Sequence, residues 1–234
     1  MIGAAKLGLH AFGATNARRR GSLRPQARFK MMRALFLSCT LKPSPEPSNT
    51  EALAQVLIAQ MQTEGVECEM VRLVDLDIKP GVKSDQGEGD DWPAVRSKIV
   101  DSDILVMVTP TWLGQHSSVC TRALERMDAM LSEAKPDGRP ISFDKVAGVV
   151  ITGNEDGAHH IVGTVCQPLI DIGFTVPGHS WTYWHLGPGP GPDYLETQQA
   201  HDYADRVGRN AARNLVAAAR ALQAHGLPQQ EAAD

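Results

Sequence analysis

Apolar and polar positions along this chain change period in a regular order. Residues 33–37 (RALFL) are a short apolar run, expected as a first strand. Residues 49–63 carry apolar side chains at helical spacing, with Ser48 or Asn49 placed to cap the helix and Gly65 to end it. Residues 66–73 alternate apolar with polar, which predicts a second strand with one wetter face. Residues 79–91, rich in glycine, proline and charge, read as a loop, and 92–100 as a short helix. Residues 103–109 (DILVMVT) and 145–152 (KVAGVVIT) each carry a continuous apolar run, as strands covered on both faces do. Between them, residues 117–131 have helical spacing. Residues 157–172 predict another helix, 174–177 a short fifth strand, and 197–224 a long alanine-rich helix with arginines on one side.

Strands alternating with helices imply parallel strands joined by right-handed crossovers, with helices on both faces. Five strands in one α/β domain predict a doubly wound parallel sheet of order 2-1-3-4-5. That domain is expected over residues 33–225, between a basic extension (1–32) and a disordered tail (226–234).

Charge changes this picture at the N-terminus alone. Residues 1–30 hold seven basic side chains and no acidic one, leaving the rest of the chain at a net charge of −11. Such an arm is a transit peptide, a nucleic-acid arm or a disordered extension ahead of a start at Met31 or Met32. The disordered extension is the reading adopted. Neither a secretory h-region nor an apolar run long enough to cross a bilayer is visible. The four cysteines lack CxxC spacing and suggest neither a zinc site nor a disulfide framework, which favours a reducing cytoplasm.

In an open parallel sheet, ligands bind beyond the carboxyl ends of the strands, where the strand order switches. Three loops of this chain are expected there. The first, residues 38–50 (SCTLKPSPEPSNT), sets Ser38, Thr40, Ser48, Asn49 and Thr50 before or at a helix start. Hydroxyls and free N–H groups at a helix N-terminus suit a phosphate. The loop has no glycine, so it is neither a Walker A loop nor a GxGxxG turn. Lys42 either adds a charge to the cradle or is carried into solvent by the prolines, and a capped helix after a long surface loop explains the same residues. The second loop, 109–118 (TPTWLGQHSS), ends a buried strand at Pro110 and offers Trp112 as a flat apolar face. It suits the edge of a planar heteroaromatic ring, or else is a strand-end turn with a core tryptophan. The third, 152–160 (TGNEDGAHH), has Gly153 and Gly157 where the backbone can approach closely. His159 and His160 diverge around a helix and cannot chelate one metal, so no metal site is expected.

Taken in order, Ser-x-Thr…Ser-Asn-Thr, Thr-Pro-x-x-x-Gly and Thr-Gly-Asn-x-x-Gly, each after its own strand, resemble the NAD(P)H-dependent FMN reductase branch of the flavodoxin-like superfamily. The resemblance covers roughly residues 33–223. It implies a flavodoxin-like three-layer sandwich and non-covalent FMN, with NAD(P)H as co-substrate. It further implies that Ser38, Thr40, Ser48, Asn49 and Thr50 hold the phosphate. Pro110, Thr111, Trp112, Leu113 and Gly114 would run along the isoalloxazine, and Thr152, Gly153, Asn154 and Gly157 would line its other edge. The first loop departs from the family's usual Gly-Ser-Pro-Arg opening.

Residues 181–195 (WTYWHLGPGPGPDYL) do not fit a minimal flavodoxin. They are either an edge strand and hydrophobic plug, which is favoured, or a wall of the substrate pocket. The expected activity is hydride transfer from NAD(P)H through FMN to a small-molecule acceptor such as a flavin or quinone, with no side chain named as acid or base. The alternative is a one-electron carrier of flavodoxin type, which the acidic body would help dock on a basic partner. A nucleic-acid partner ranks last because the folded part offers no reading element. The expected assembly is a homodimer or homotetramer.

Overall fold

The computed structural model describes residues 31–228. Five parallel strands form the sheet: β1 (Arg33–Ser38), β2 (Glu67–Arg72), β3 (Ile104–Trp112), β5 (Val146–Thr152) and β6 (Trp181–Trp184), in the order β2-β1-β3-β5-β6. β4 (Gln115–His116) is a two-residue strand that folds back antiparallel on the end of β3. Counting the parallel strands alone, the order is 2-1-3-4-5, and the fold is the flavodoxin-like three-layer sandwich.

The central strands are buried on both faces, and alternate residues point to opposite layers. Leu35 and Leu37 of β1, Leu105 and Met107 of β3, and Val149 and Ile151 of β5 face α2 (Trp92–Asp101), α3 (Ser118–Met127) and α4 (Ala158–Ile172). Phe36, Val106 and Val150 face α1 (Asn49–Thr63) and α5 (His201–His225). The alanines of α5 that look inward, among them Ala204, Ala211 and Ala212, leave little side chain to hold α1 and α5 apart.

The fifth parallel strand lies later than the apolar run at 174–177 suggests. Within that run Thr175 makes only an isolated bridge to Val146. Pro177 has no N–H for a ladder, and His179 turns with φ +53°. The strand forms instead from Trp181–Trp184, whose aromatic and β-branched residues pair Val149↔Trp181 through Thr152↔Trp184.

The expected N-terminal extension lies outside the described residues except for Met31 and Met32. Met32 belongs to the core facing α1, and its carbonyl accepts from Glu67 N at 2.9 Å. At the other end, Leu227 N donates to Asp144 Oδ1 at 2.7 Å and Arg139 Nη1 to Leu227 O at 3.1 Å. Met32 and Leu227 thus both contact the folded body, and residues 229–234 of the expected tail lie outside the described residues. Among the described residues no helix is long and apolar enough to cross a membrane. Nor does any group of three or more His, Cys, Asp or Glu side chains there stand where it could hold a metal ion.

Candidate functional site

The loops after β1, β3 and β5 converge on one cleft. Ten of the fourteen residues singled out from the sequence line it: Thr40, Ser48, Asn49, Thr50, Pro110, Thr111, Trp112, Thr152, Gly153 and Asn154. The hydroxyl residues among them are buried. Ser48 caps α1, its Oγ accepting from Glu51 N at 3.3 Å. The N–H groups of Asn49 and Thr50, in the first turn of the helix, have no partner within it. Asn49 Oδ1 accepts from Leu195 N at 3.1 Å, which leaves its NH₂ group as a donor. The Thr50 and Thr152 hydroxyls share a hydrogen bond of 2.7 Å that ties the start of α1 to the end of β5. Lys42 stands in the cleft wall despite the prolines that follow it.

Four residues fall elsewhere. Ser38 is buried, but its Oγ donates to Glu51 Oε1 at 2.5 Å and not into the cleft. Leu113 is 91% exposed, and its N–H donates to Glu155 Oε1 at 2.6 Å. Gly114 and Gly157 join the second loop to the third. Both have positive φ, and a Cβ on Gly157 would stand 2.7 Å from Gly114 Cα. Neither of the paired histidines lines the cleft. His159 packs edge-on against Trp181 and Tyr183, and His160 Nε2 meets Gln115 Oε1 at 2.9 Å. Burial, with His160 nearby, holds the neighbouring His116 below the usual imidazole range.

Asp193 and Tyr194 complete the cleft wall, together with Leu41. The glycine-proline segment brings them there by crossing the third loop, where Gly191 N donates to Asn154 O at 3.1 Å. Asp193 and Glu196 form a capping box, a Asp-x-x-Glu signal that was readable in the sequence. Tyr194 stacks on His201 with ring centroids 3.9 Å apart and meets Trp184 edge-on. Burial, and then the Asp205 carboxylate, push the Tyr194 phenol up to about 12, so it stays protonated. The aromatic segment is thus divided: Trp184 plugs the core, and Asp193 and Tyr194 wall the cleft.

The arrangement offers an anion seat at one end, made of a capped helix start, buried hydroxyls and one lysine. At the other end the backbone of Pro110–Trp112 runs beside an exposed indole, a surface suited to a planar ring.

A family model described as NADPH-dependent FMN reductase matches residues 32–187. The chain belongs to the NADPH-dependent FMN reductase family. Within reach of this family member is 8-demethyl-8-aminoriboflavin-5'-phosphate synthase of Streptomyces davaonensis, 36% identical over 204 residues, a match covering 82% of this chain and 79% of that protein. A crystal structure of RosB with the bound intermediate 8-demethyl-8-formylriboflavin-5'-phosphate is similar with a TM-score of 0.77 at 35% identity, covering 83% of this chain and 81% of that one. A divalent metal cation transporter, MntH of Mycobacterium bovis, is 39% identical over 187 residues, covering 78% of this chain. The reductase-family chain spans only 27% of that transporter's length.

Proposed function

We propose that the cleft binds riboflavin-5'-phosphate and that the protein is an FMN-dependent oxidoreductase. It takes hydride from NADPH or NADH and hands electrons to a small acceptor such as a flavin or quinone. The observation that carries this reading is the convergence of the α1 N-terminus with the buried hydroxyls of Thr40, Ser48, Thr50 and Thr152 in one cleft. These residues fit the group. The free N–H groups of Asn49 and Thr50, the Asn49 amide and Lys42 are donors suited to a phosphate dianion. Pro110, Thr111 and Trp112 are placed for one edge of the ring, and Gly153, whose missing side chain lets Thr111 pack against the third loop, lines the other. The one carboxylate in the wall, Asp193, caps its own turn. What the flavin supplies when bound is a reversible store of two electrons. The side chains bind, orient and exclude water, and no proton transfer is assigned to any of them.

A second reading treats the flavin as substrate. It is favoured by the two relatives at 35–36% identity, whose names describe riboflavin-5'-phosphates altered at position 8. The same cleft serves both readings, and the fate of the flavin separates them. The protein is incubated in air with FMN, with and without NADPH or NADH and with and without an amine donor, and the flavin is recovered for mass spectrometry. Nicotinamide oxidation with FMN returned unchanged is the expected result. A recovered flavin altered at position 8 would establish the second reading. Calorimetric titration tests the seat itself: FMN is expected to bind more tightly than riboflavin, and equal affinities would remove the phosphate assignment.

A further inference from the structure

The 39–48 loop is held from outside by residues that the cleft does not contain. Arg72 ends β2, next to Ser38 in the sheet register. Its side chain is largely buried and grips Glu51 in bidentate fashion, Nε to Oε1 at 2.8 Å and Nη2 to Oε2 at 2.5 Å. The remaining amino group, Nη1, donates to Glu46 O at 3.0 Å and Lys42 O at 3.4 Å. Three residues further on, Asp75 accepts from Ser44 N at 2.9 Å and Ser44 Oγ at 2.6 Å. One guanidinium therefore fastens two carbonyls of the loop to the first-turn acid of α1.

Glu51 poses an electrostatic problem for an anion seat. It lies in the first turn of the helix whose N-terminus opens on the cleft. A carboxylate there suits an empty helix end but repels a bound dianion. Arg72 cancels that charge, and its planar fork matches a carboxylate as a lysine would not.

We propose that Arg72 is a positioning residue for the flavin phosphate: it shapes the 39–48 loop and neutralises Glu51 without touching the phosphate. This rests on the reading of the cleft as an FMN site. The test compares dissociation constants for FMN and riboflavin, followed by flavin fluorescence on protein freed of flavin. In Arg72→Gln, FMN should bind on the order of 10- to 100-fold more weakly, while riboflavin changes little. Adding Glu51→Gln to that variant should restore most of the lost FMN affinity, which a purely structural role would not do. Glu51→Gln alone, with Arg72 intact, should bind FMN at least as tightly as the parent, and it keeps the test open should Arg72→Gln fail to fold. Equal losses for FMN and riboflavin in Arg72→Gln would overturn the proposal, as would a double variant no better than the single. Weaker FMN binding in Glu51→Gln alone would also overturn it. A parent protein with no preference for FMN over riboflavin would instead defeat the underlying assignment of the cleft.

Discussion

Gly153, like Gly157, sits at a close contact between the second and third loops. A Cβ there would stand 2.7 Å from Thr111 Cβ and 2.9 Å from Glu155 O, both parts of the cleft framework. Its backbone also donates to Trp184 O at 3.0 Å, so it cannot simply swing away. Gly153→Ala should push the β3 and β5 loops apart, costing about 1–3 kcal/mol of stability and weakening FMN binding roughly tenfold or more. Melting and flavin titration of the variant check this, and an alanine tolerated in both would mean the two loops are not rigidly spaced. Thr40, Ser48, Thr50 and Thr152 could be grouped from the sequence because each stands at or beyond a strand end or at a helix start, although capping alone explains a hydroxyl at a helix start, as it does for Ser48. Ser38 was misplaced for a physical reason. A serine at a strand end looks the same whether its partner is a ligand or a glutamate thirteen positions on, and here it is Glu51. Asp193 and Tyr194 reach the cleft by a chain reversal that no local period records.

At the scale of elements, the segment between β2 and α2 looks in sequence like an ordinary polar loop, yet it is clamped. Arg126 of α3 is fully buried beneath it, donating to Lys79 O and Lys83 O at 2.8 Å each and pairing with Asp90, Nη2 to Oδ2 at 2.8 Å. The guanidinium also lies 5.7 Å from the Trp92 ring centre. Burial pushes the Asp90 carboxyl up, but the Arg126 guanidinium and the N–H groups of Gln86, Trp92 and Lys79 outweigh it and hold the pKa at about 2. An unfolded aspartate titrates near 3.9. The folded value is the lower one, so this contribution is present above about pH 4 and is lost as pH falls toward 2. Arg126→Met should destabilise by about 3–5 kcal/mol, since it strands a buried carboxylate. Urea unfolding of parent and Asp90→Asn between pH 5 and 2 should show a shallower loss in the variant, and parallel curves would remove the linkage. The amphipathic arginine of α3 gave no sign of this partner, because pairs far apart in sequence leave no periodic trace. The fifth strand was misplaced for a related reason: apolar content pointed to residues 174–177, whereas hydrogen-bonding capacity selects Trp181–Trp184.

For the molecule as a whole, charge and surface chemistry point in different directions, and the difference separates an enzyme from a carrier. Residues 31–234 carry a net charge of −11, which would steer a basic protein partner. Of the side chains that line the cleft, Leu41 and Trp112 are exposed apolar ones, and Leu113 and Leu195, outside the lining but adjacent to it in the chain, are exposed as well. Leu195 follows directly on the cleft-wall residue Tyr194, and Leu113 on Trp112. An apolar mouth in an acidic body suits a flat, uncharged acceptor better than a charged docking face, because burying the rim against a planar ring removes apolar area from water. The alternation of strands and helices made the sheet legible at this scale, but the rim depends on which side chains the loops turn outward. The two half-reactions can be measured separately in rapid mixing. NADPH or NADH should bleach the bound flavin within the turnover time, and double-reciprocal plots should be parallel. Reoxidation by a neutral quinone should change by less than about twofold between low and high salt, since screening acts only on charged partners. A carrier would behave otherwise, with slow reduction by both nicotinamides and electron delivery to a basic protein that falls steeply as salt rises. Trp112→Ala supplies the internal control. It removes the exposed indole of the cleft lining without altering net charge, so it should slow the quinone step while leaving its weak salt dependence as it was. A variant with unchanged quinone kinetics would show that acceptors approach by another face.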